Sequence, residues 1–322
     1  MLATVPRGAA SADDTVTPLR ESLDDAWWTG PLLAANASTL PQGHFYFEPY
    51  LFDIIPYAHF DSSGHAHAVT HQNDLGSLSY MSYGLADRLT VGLIPRFAYD
   101  WAGGGGSSTG VGVGDLTLQG QFRLTQFRPG DWIPTLSVNV QETLPTGRFD
   151  RLDRPADGFG SGANTTTMSI YSQSYFWLGN GRILRARLNL SYAVSDRVRL
   201  EDLSVYGTSF GFRGYASPRN SLYGDLAFEY SITRNWVAAL DLWTERDADT
   251  RVIGNYPNPP GQPPSASIIM NSSGNGWEQI VAPAFEYNWS ARLGIIVGAR
   301  VIIAGRNETA SAAPVIAISC FF

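Results

Sequence analysis

Arg185 and Arg187 stand two residues apart in Ile183-Leu184-Arg185-Ala186-Arg187-Leu188, and Asp225 and Glu229 stand four apart in the run from Tyr223 to Tyr230. Asp241 and Glu245 repeat the four-residue spacing, and Arg96, Arg123, Glu286 and Arg300 sit in comparable surroundings, most with apolar residues on either side. In an extended chain an even spacing puts both charges on one face. Opposed charges held on facing strands have two uses. They pair into a salt-bridged filling that stiffens an interior, or they form a constriction that selects solutes by charge. Glu229 and Asp241, on successive runs, read as near-facing acids, an arrangement that needs Arg300 or another base between them.

Other groupings carry weaker chemistry. His65, His67 and His71 form H-x-H-x3-H, a spacing that can bind a transition metal, although no cysteine or carboxylate cluster accompanies it to close a site. The hydrated-loop reading is the default. Trp27 and Trp28 follow Pro18-Leu19-Arg20-Glu21-Ser22-Leu23-Asp24-Asp25-Ala26, a short amphipathic stretch stopped by Thr29-Gly30-Pro31. All five histidines precede residue 72 and no G-x-S-x-G elbow is present, so no nucleophile–histidine pair for hydrolysis is legible and the chain reads as no enzyme. No motif calls for a cofactor.

The elements that must position these residues are strands. Leu184, Ala186, Leu188, Leu190 and Tyr192 alternate with Arg185, Arg187, Asn189 and Ser191, and the same two-residue period recurs from Leu89 to Asp100, Leu116 to Leu124 and Leu222 to Ile232. Only 16% of the 322 residues are charged and 12% are aromatic. No run offers the ~18 apolar residues of a spanning helix, whereas a spanning strand needs about 9–11. The net charge of −7 leaves no basic stripe for nucleic acid. A single cysteine, Cys320, excludes internal disulfides.

Connection lengths separate a soluble sandwich from a membrane barrel. Ala86-Asp87-Arg88, Arg128-Pro129-Gly130-Asp131, Gly179-Asn180-Gly181, Thr233-Arg234-Asn235 and Ser290-Ala291-Arg292 are tight links, and between them fall long stretches around 56–74, 101–113, 145–163, 247–276 and 305–311. Sorted lengths are the mark of short periplasmic turns and longer outer loops. Assigning 195–220 to an outer loop with a small hairpin, rather than to a thirteenth strand, keeps the alternation. The expectation is an all-β fold: a twelve-stranded antiparallel transmembrane β-barrel over 44–322, in the bacterial outer membrane, with both termini periplasmic. Trp132, Trp177, Trp236 and Trp289 lie beside the short turns, where an interfacial girdle belongs. The final strand, ending on Phe322, pairs with the first near Phe45 to Ile55 and is the segment the outer-membrane assembly machinery reads. Residues 1–12, with Ala10-Ser11-Ala12, read as a truncated signal peptide. Residues 13–43 are either a plug that carries Trp27 and Trp28 into the lumen or a periplasmic tether.

Gly112-Val113-Gly114-Asp115-Leu116-Thr117-Leu118, then Leu144-Pro145-Thr146-Gly147 followed by Gly158-Phe159-Gly160-Ser161-Gly162, and Tyr230-Ser231-Ile232-Thr233-Arg234-Asn235-Trp236 resemble motifs of the outer-membrane family of the meta-pathway of phenol degradation. The resemblance spans roughly 40–322. It implies a porin-like transporter, a pore or carrier for small aromatic or hydrophobic compounds with the lipid bilayer and a small-molecule solute as partners. The alternatives are a structural or loop-binding barrel with a blocked lumen, and an outer-membrane lipase. Pro145-Thr146-Gly147 by itself reads as a type II turn.

Overall fold

The structure is a computed structural model and describes residues 19–70, 72–102, 106–256 and 269–322. Twelve strands form a closed antiparallel barrel. They are β1 (Phe45–Phe60), β2 (Gln72–Ala86), β3 (Leu89–Ile94, resuming after Pro95 as Arg96–Ala102), β4 (Leu116–Thr125), β5 (Thr135–Leu144) and β6 (Thr165–Trp177). Then follow β7 (Ile183–Ser195), β8 (Ser221–Ser231), β9 (Trp236–Asp247), β10 (Gly276–Ser290), β11 (Leu293–Arg306) and β12 (Glu308–Phe321). Each strand pairs with its chain neighbours, and β1 closes on β12 with Tyr50 opposite Ala317 and Phe47 opposite Cys320. Closure leaves no edge, so every strand can stand in hydrocarbon.

Alternation sets the two faces. Leu188, Leu190, Tyr192, Leu226, Leu242, Phe285 and Val297 are exposed outward, while Ser137, Asn139, Arg185, Arg187, Asp225, Glu229, Asp241 and Glu286 are buried inside. A soluble protein would bury the first set; only lipid makes this arrangement stable. Trp132, Trp236 and Trp289 are exposed near the short turns. Trp177 is not: it faces inward, and its indole N–H donates to the Glu21 carbonyl at 2.7 Å. It shares the parity of Tyr171 and Gln173, which are inside, so proximity to a turn misplaced it.

Outer loop 196–220 holds the expected hairpin (Val198–Glu201 with Arg213–Ser217), extended by Arg251–Asn255 and Ile269–Ser272 from the next loop into a four-stranded sheet. Val198, Leu200, Phe212, Ala216 and Val252 form its own small core. The link expected around 305–311 is in fact only Asn307, at φ 53, between β11 and β12. Those two strands pair as far as Val301–Ala312 and then diverge, β11 staying on β10 and β12 on β1. The Tyr57 hydroxyl donates to the Ile302 carbonyl at this divergence, supplying a partner where a sheet neighbour has left.

Two of the three family-like motifs meet in space, and the third, around Thr233, is a short turn at the other rim. The Asp115 carboxylate accepts from Gly147 N (2.9 Å), Ser161 N (2.7 Å) and Ser161 Oγ (2.8 Å), tying two outer loops together. Pro145-Thr146-Gly147 is not a type II turn, since neither Thr146 nor Gly147 has positive φ. Thr146 N instead reaches the Leu144 carbonyl at 2.8 Å, a γ-turn pairing.

The outer sheet depends on one acid. Asp249 accepts from Arg251 Nε (2.9 Å), Ser272 Oγ (2.7 Å) and Gly274 N (2.9 Å). The Arg251 guanidinium and the Ser272 hydroxyl hold its carboxyl down to about 2. A depressed carboxylate contributes stability above its unfolded value of about 3.9 and loses it as pH falls through the folded value. Amide-exchange protection at Thr250 and Gly274 is therefore expected to be the same at pH 8 and pH 5 and to decline between pH 4 and 2. In Asp249→Ala it should already be low at pH 7.

Candidate functional site

Residues 19–43 contain Gly30-Pro31 and, apart from one short 3-10 turn (Leu23–Asp25), no regular structure. Their backbone groups therefore lack internal partners, and inside a barrel the wall must supply them. It does so in order along the chain. At the rim of short turns Glu21 takes Arg182 Nη1 (2.9 Å), Ile183 N (3.2 Å) and Ser231 Oγ (2.9 Å). Higher up, Thr29 N donates to Glu286 (2.5 Å) and Thr29 Oγ1 to Asn288 Oδ1 (2.9 Å). Leu32, Leu33 and Ala34 then turn three successive N–H groups onto Asp241 at 3.0, 3.4 and 3.0 Å. Arg187 and Asn189 donate to the Ala34 and Ala35 carbonyls (2.7 and 3.1 Å), and Gln121 to that of Asn36 (2.9 Å). The chain then descends across the lumen, with Thr39 Oγ1 on the Asp87 carbonyl (2.7 Å) and Leu40 N on Thr90 Oγ1 (2.8 Å), and enters β1. The path is an inverted U standing in the lumen.

At the level of its arch the charges meet. Arg185 lies directly opposite Glu229 in register and holds it with both Nε (2.6 Å) and Nη2, while Arg187 Nε is 3.0 Å from the same carboxylate. Glu229, Asp241 and Glu286 are fully buried and Asp225 is 2% exposed. Neither oxygen of Asp225 has a hydrogen-bond partner. Asp241 lies opposite Ala227, so Asp225 and Glu229 flank it diagonally and neither faces it directly. The base beside them is Arg187 with Arg185. Arg300 is engaged elsewhere, with Glu278 at 3.0 Å, because β10 stands between its strand and β9.

The remaining candidates are dispersed. Glu245 accepts from the Trp243 indole at 3.2 Å, and Arg123 is near the short-turn rim, its backbone N–H on the Arg88 carbonyl at 2.9 Å. Arg96 is exposed at the resumption of β3. The Trp27 face is covered by the Arg234 guanidinium at 4.5 Å and that of Trp28 by Arg185 at 4.6 Å, so both indoles lock the segment through cation–π contacts. His65 and His67 both turn toward Asp61, at 3.9 and 2.8 Å. The His67 ring and the N–H groups of His65 and Ser63 hold that carboxyl down to about 2. His71 and residues 1–18 lie outside the described residues.

Above the arch one part of the lumen wall is apolar and aromatic, beside the inward Glu245 and Glu278, and the alternation does not announce it. Tyr50 meets Tyr80 edge-on at 5.8 Å, and Tyr223 stacks on Trp243 at 4.6 Å. Leu32 and Leu33 of the segment pack beneath them with Phe52, Leu78 and Ile280. The signal was present in the parity: Tyr223 and Trp243 are two residues from Asp225 and Asp241 and must share their face.

No family model matches the chain, and no curated protein matches it. Among solved structures it is similar to the COG4313 outer membrane channel from Pseudomonas putida F1, at 15% identity and a TM-score of 0.66 over 89% of this chain and 98% of that one. The fold is that of an outer-membrane barrel. The P. putida toluene transporter TodX (13% identity, TM-score 0.37, 92% and 95% covered) and OprG from Pseudomonas aeruginosa (12%, 0.27, 88% and 97%) are more distant in shape. At these identities the likeness concerns architecture, and the chemistry has to come from this chain's own lumen.

One glycine shows how closely the segment is fitted. A Cβ at Gly84 would run into the Pro41 carbonyl oxygen, and Gly43 N donates to the Gly84 carbonyl while Gly84 N donates to that of His44, both at 2.9 Å. Gly84→Ala is expected to cost about 1–3 kcal/mol through that backbone clash, seen as a lower temperature for the heat-induced gel-mobility shift.

Proposed function

We propose that the protein is a passive outer-membrane channel for small apolar or aromatic compounds, closed from the periplasmic side by residues 19–43. The observation that carries the reading is two aromatic pairs on the lumen wall (Tyr50 with Tyr80, Tyr223 with Trp243) above a segment of irregular chain bonded to the wall by single side chains. An apolar solute entering from the outer side gains by leaving water for these aromatic faces. Its onward path is closed by the arch at Leu32 and Leu33, so passage needs that arch to move. The charged layer around Glu229 serves in this reading as the seat of the segment. The motifs resembling the phenol meta-pathway family fit aromatic cargo.

Flux tests the proposal. Purified full-length protein and a variant lacking residues 19–40 are placed in liposomes with arabinose, glycine or ionised benzoate. The reading predicts benzoate entry above the empty-vesicle rate, faster for the deletion. A deletion variant that passes none of the three overturns it and leaves the blocked, structural barrel.

A further inference from the structure

A row of residues crosses the outside of the barrel at one height. Tyr192, Leu222, Arg246, Trp277 and Arg306 are successive register partners across β7, β8, β9, β10 and β11. They line a groove of about 720 Å³ on the outer wall. Two rungs below, Leu188, Leu226, Leu242 and Val281 form an unbroken apolar row, and between the rows Gly224 and Ala304 keep the wall shallow. The height follows from the strand. Arg246 is ten residues beyond Trp236 of the periplasmic girdle, and ten residues tilted by about 40° rise about 25 Å, the thickness of the apolar band. Arg246 and Arg306 thus stand where hydrocarbon gives way to headgroups on the outer side, about 10 Å apart by strand spacing.

Neither guanidinium has an ion-pair or hydrogen-bond partner among the described residues, and Arg306 Nε is buried without one. The nearest acids are taken: Asp247 and Glu308 both bind Arg219. Two unpaired arginines at a lipid boundary are costly unless an anion meets them. Arginine binds phosphate with two parallel N–H donors, and Trp277 between them suits a sugar or glycerol face. We infer that this groove binds a phosphorylated lipid of the outer leaflet, its phosphates on Arg246 and Arg306 and its acyl chains along the Leu188–Leu242 row. The apolar row selects a lipid over free phosphate.

The test uses the full-length protein in detergent, with diphosphoryl lipid A, the same lipid lacking phosphates, and inorganic phosphate as probes. Native mass spectrometry should show the diphosphoryl lipid retained, with at least tenfold weaker retention for the double variant Arg246→Gln/Arg306→Gln. Arg128→Gln, a charge removed from a periplasmic turn, should bind as wild type. A heat-induced gel shift unchanged in the double variant shows that it folds; if it does not fold, Arg246→Lys, which keeps the charge but loses the planar fork, should bind measurably less than wild type. Equal retention of the phosphate-free lipid, displacement of the lipid by inorganic phosphate at equal concentration, or undiminished binding by the folded double variant or by Arg246→Lys would each overturn the assignment.

Discussion

Asp241→Ala is expected to convert a closed barrel into a conducting one. Asp241 alone accepts three consecutive backbone N–H groups from Leu32, Leu33 and Ala34, and no other described side chain accepts a hydrogen bond from them. Bonds to a charged acceptor contribute about 1.5–3 kcal/mol each. Water admitted to the lumen replaces part of that, so a net loss of about 3 kcal/mol is reasonable, two orders of magnitude in the ratio of open to closed. In planar bilayers the wild type should show a low, steady conductance and Asp241→Ala long openings approaching those of the variant without residues 19–40. Asp241→Asn keeps one accepting oxygen and should fall between. If the deletion conducts and Asp241→Ala does not, the latch lies at Glu286 and Glu21 instead.

The barrel was legible because its signals are periodic. A face that alternates Leu with Arg for ten residues has one reading as secondary structure, and sorted loop lengths then choose lipid over water for the greasy side. The thirteenth-strand ambiguity at 195–220 yielded to the same rule, and that loop does lie outside the barrel. What failed was pairwise detail. Arg300 and Arg187 look alike as single inward bases, and only the strand order puts Arg187 beside β8 and leaves Arg300 with Glu278. Trp177 stands beside a turn as Trp236 does, and a one-residue difference in parity sends it inward. The route of residues 19–43 has no periodicity to reveal it. It is written in acceptors 200 residues away, and a single sequence gives no means of matching Asp241 to Leu32.

The arch and the charged layer form one structure, because Arg187 binds Glu229 on one side and the Ala34 carbonyl on the other. Glu229→Ala is therefore expected to be the most damaging single change in the lumen. It leaves two buried guanidinium groups, with side chains 4% and 3% exposed, facing no carboxylate in direct contact. Breaking a buried pair by removing one partner costs about 3–5 kcal/mol. The midpoint of urea unfolding in vesicles should fall accordingly, and Glu229→Gln, which keeps one acceptor oxygen but not the charge, should fall less. Asp225 modifies this outcome. It stands two inward positions away on β8, past Ala227, with both oxygens unpartnered, so in Glu229→Ala the Arg187 guanidinium has a second carboxylate to turn to. Asp225→Ala alone should then be mild or stabilising, since it removes a buried acid that nothing pairs with. Combined with Glu229→Ala it should cost more than the sum of the two, by 0.5 kcal/mol or more, as coupled neighbours do. Strict additivity would mean that Asp225 cannot reach Arg187, and that the layer is held by Glu229 alone.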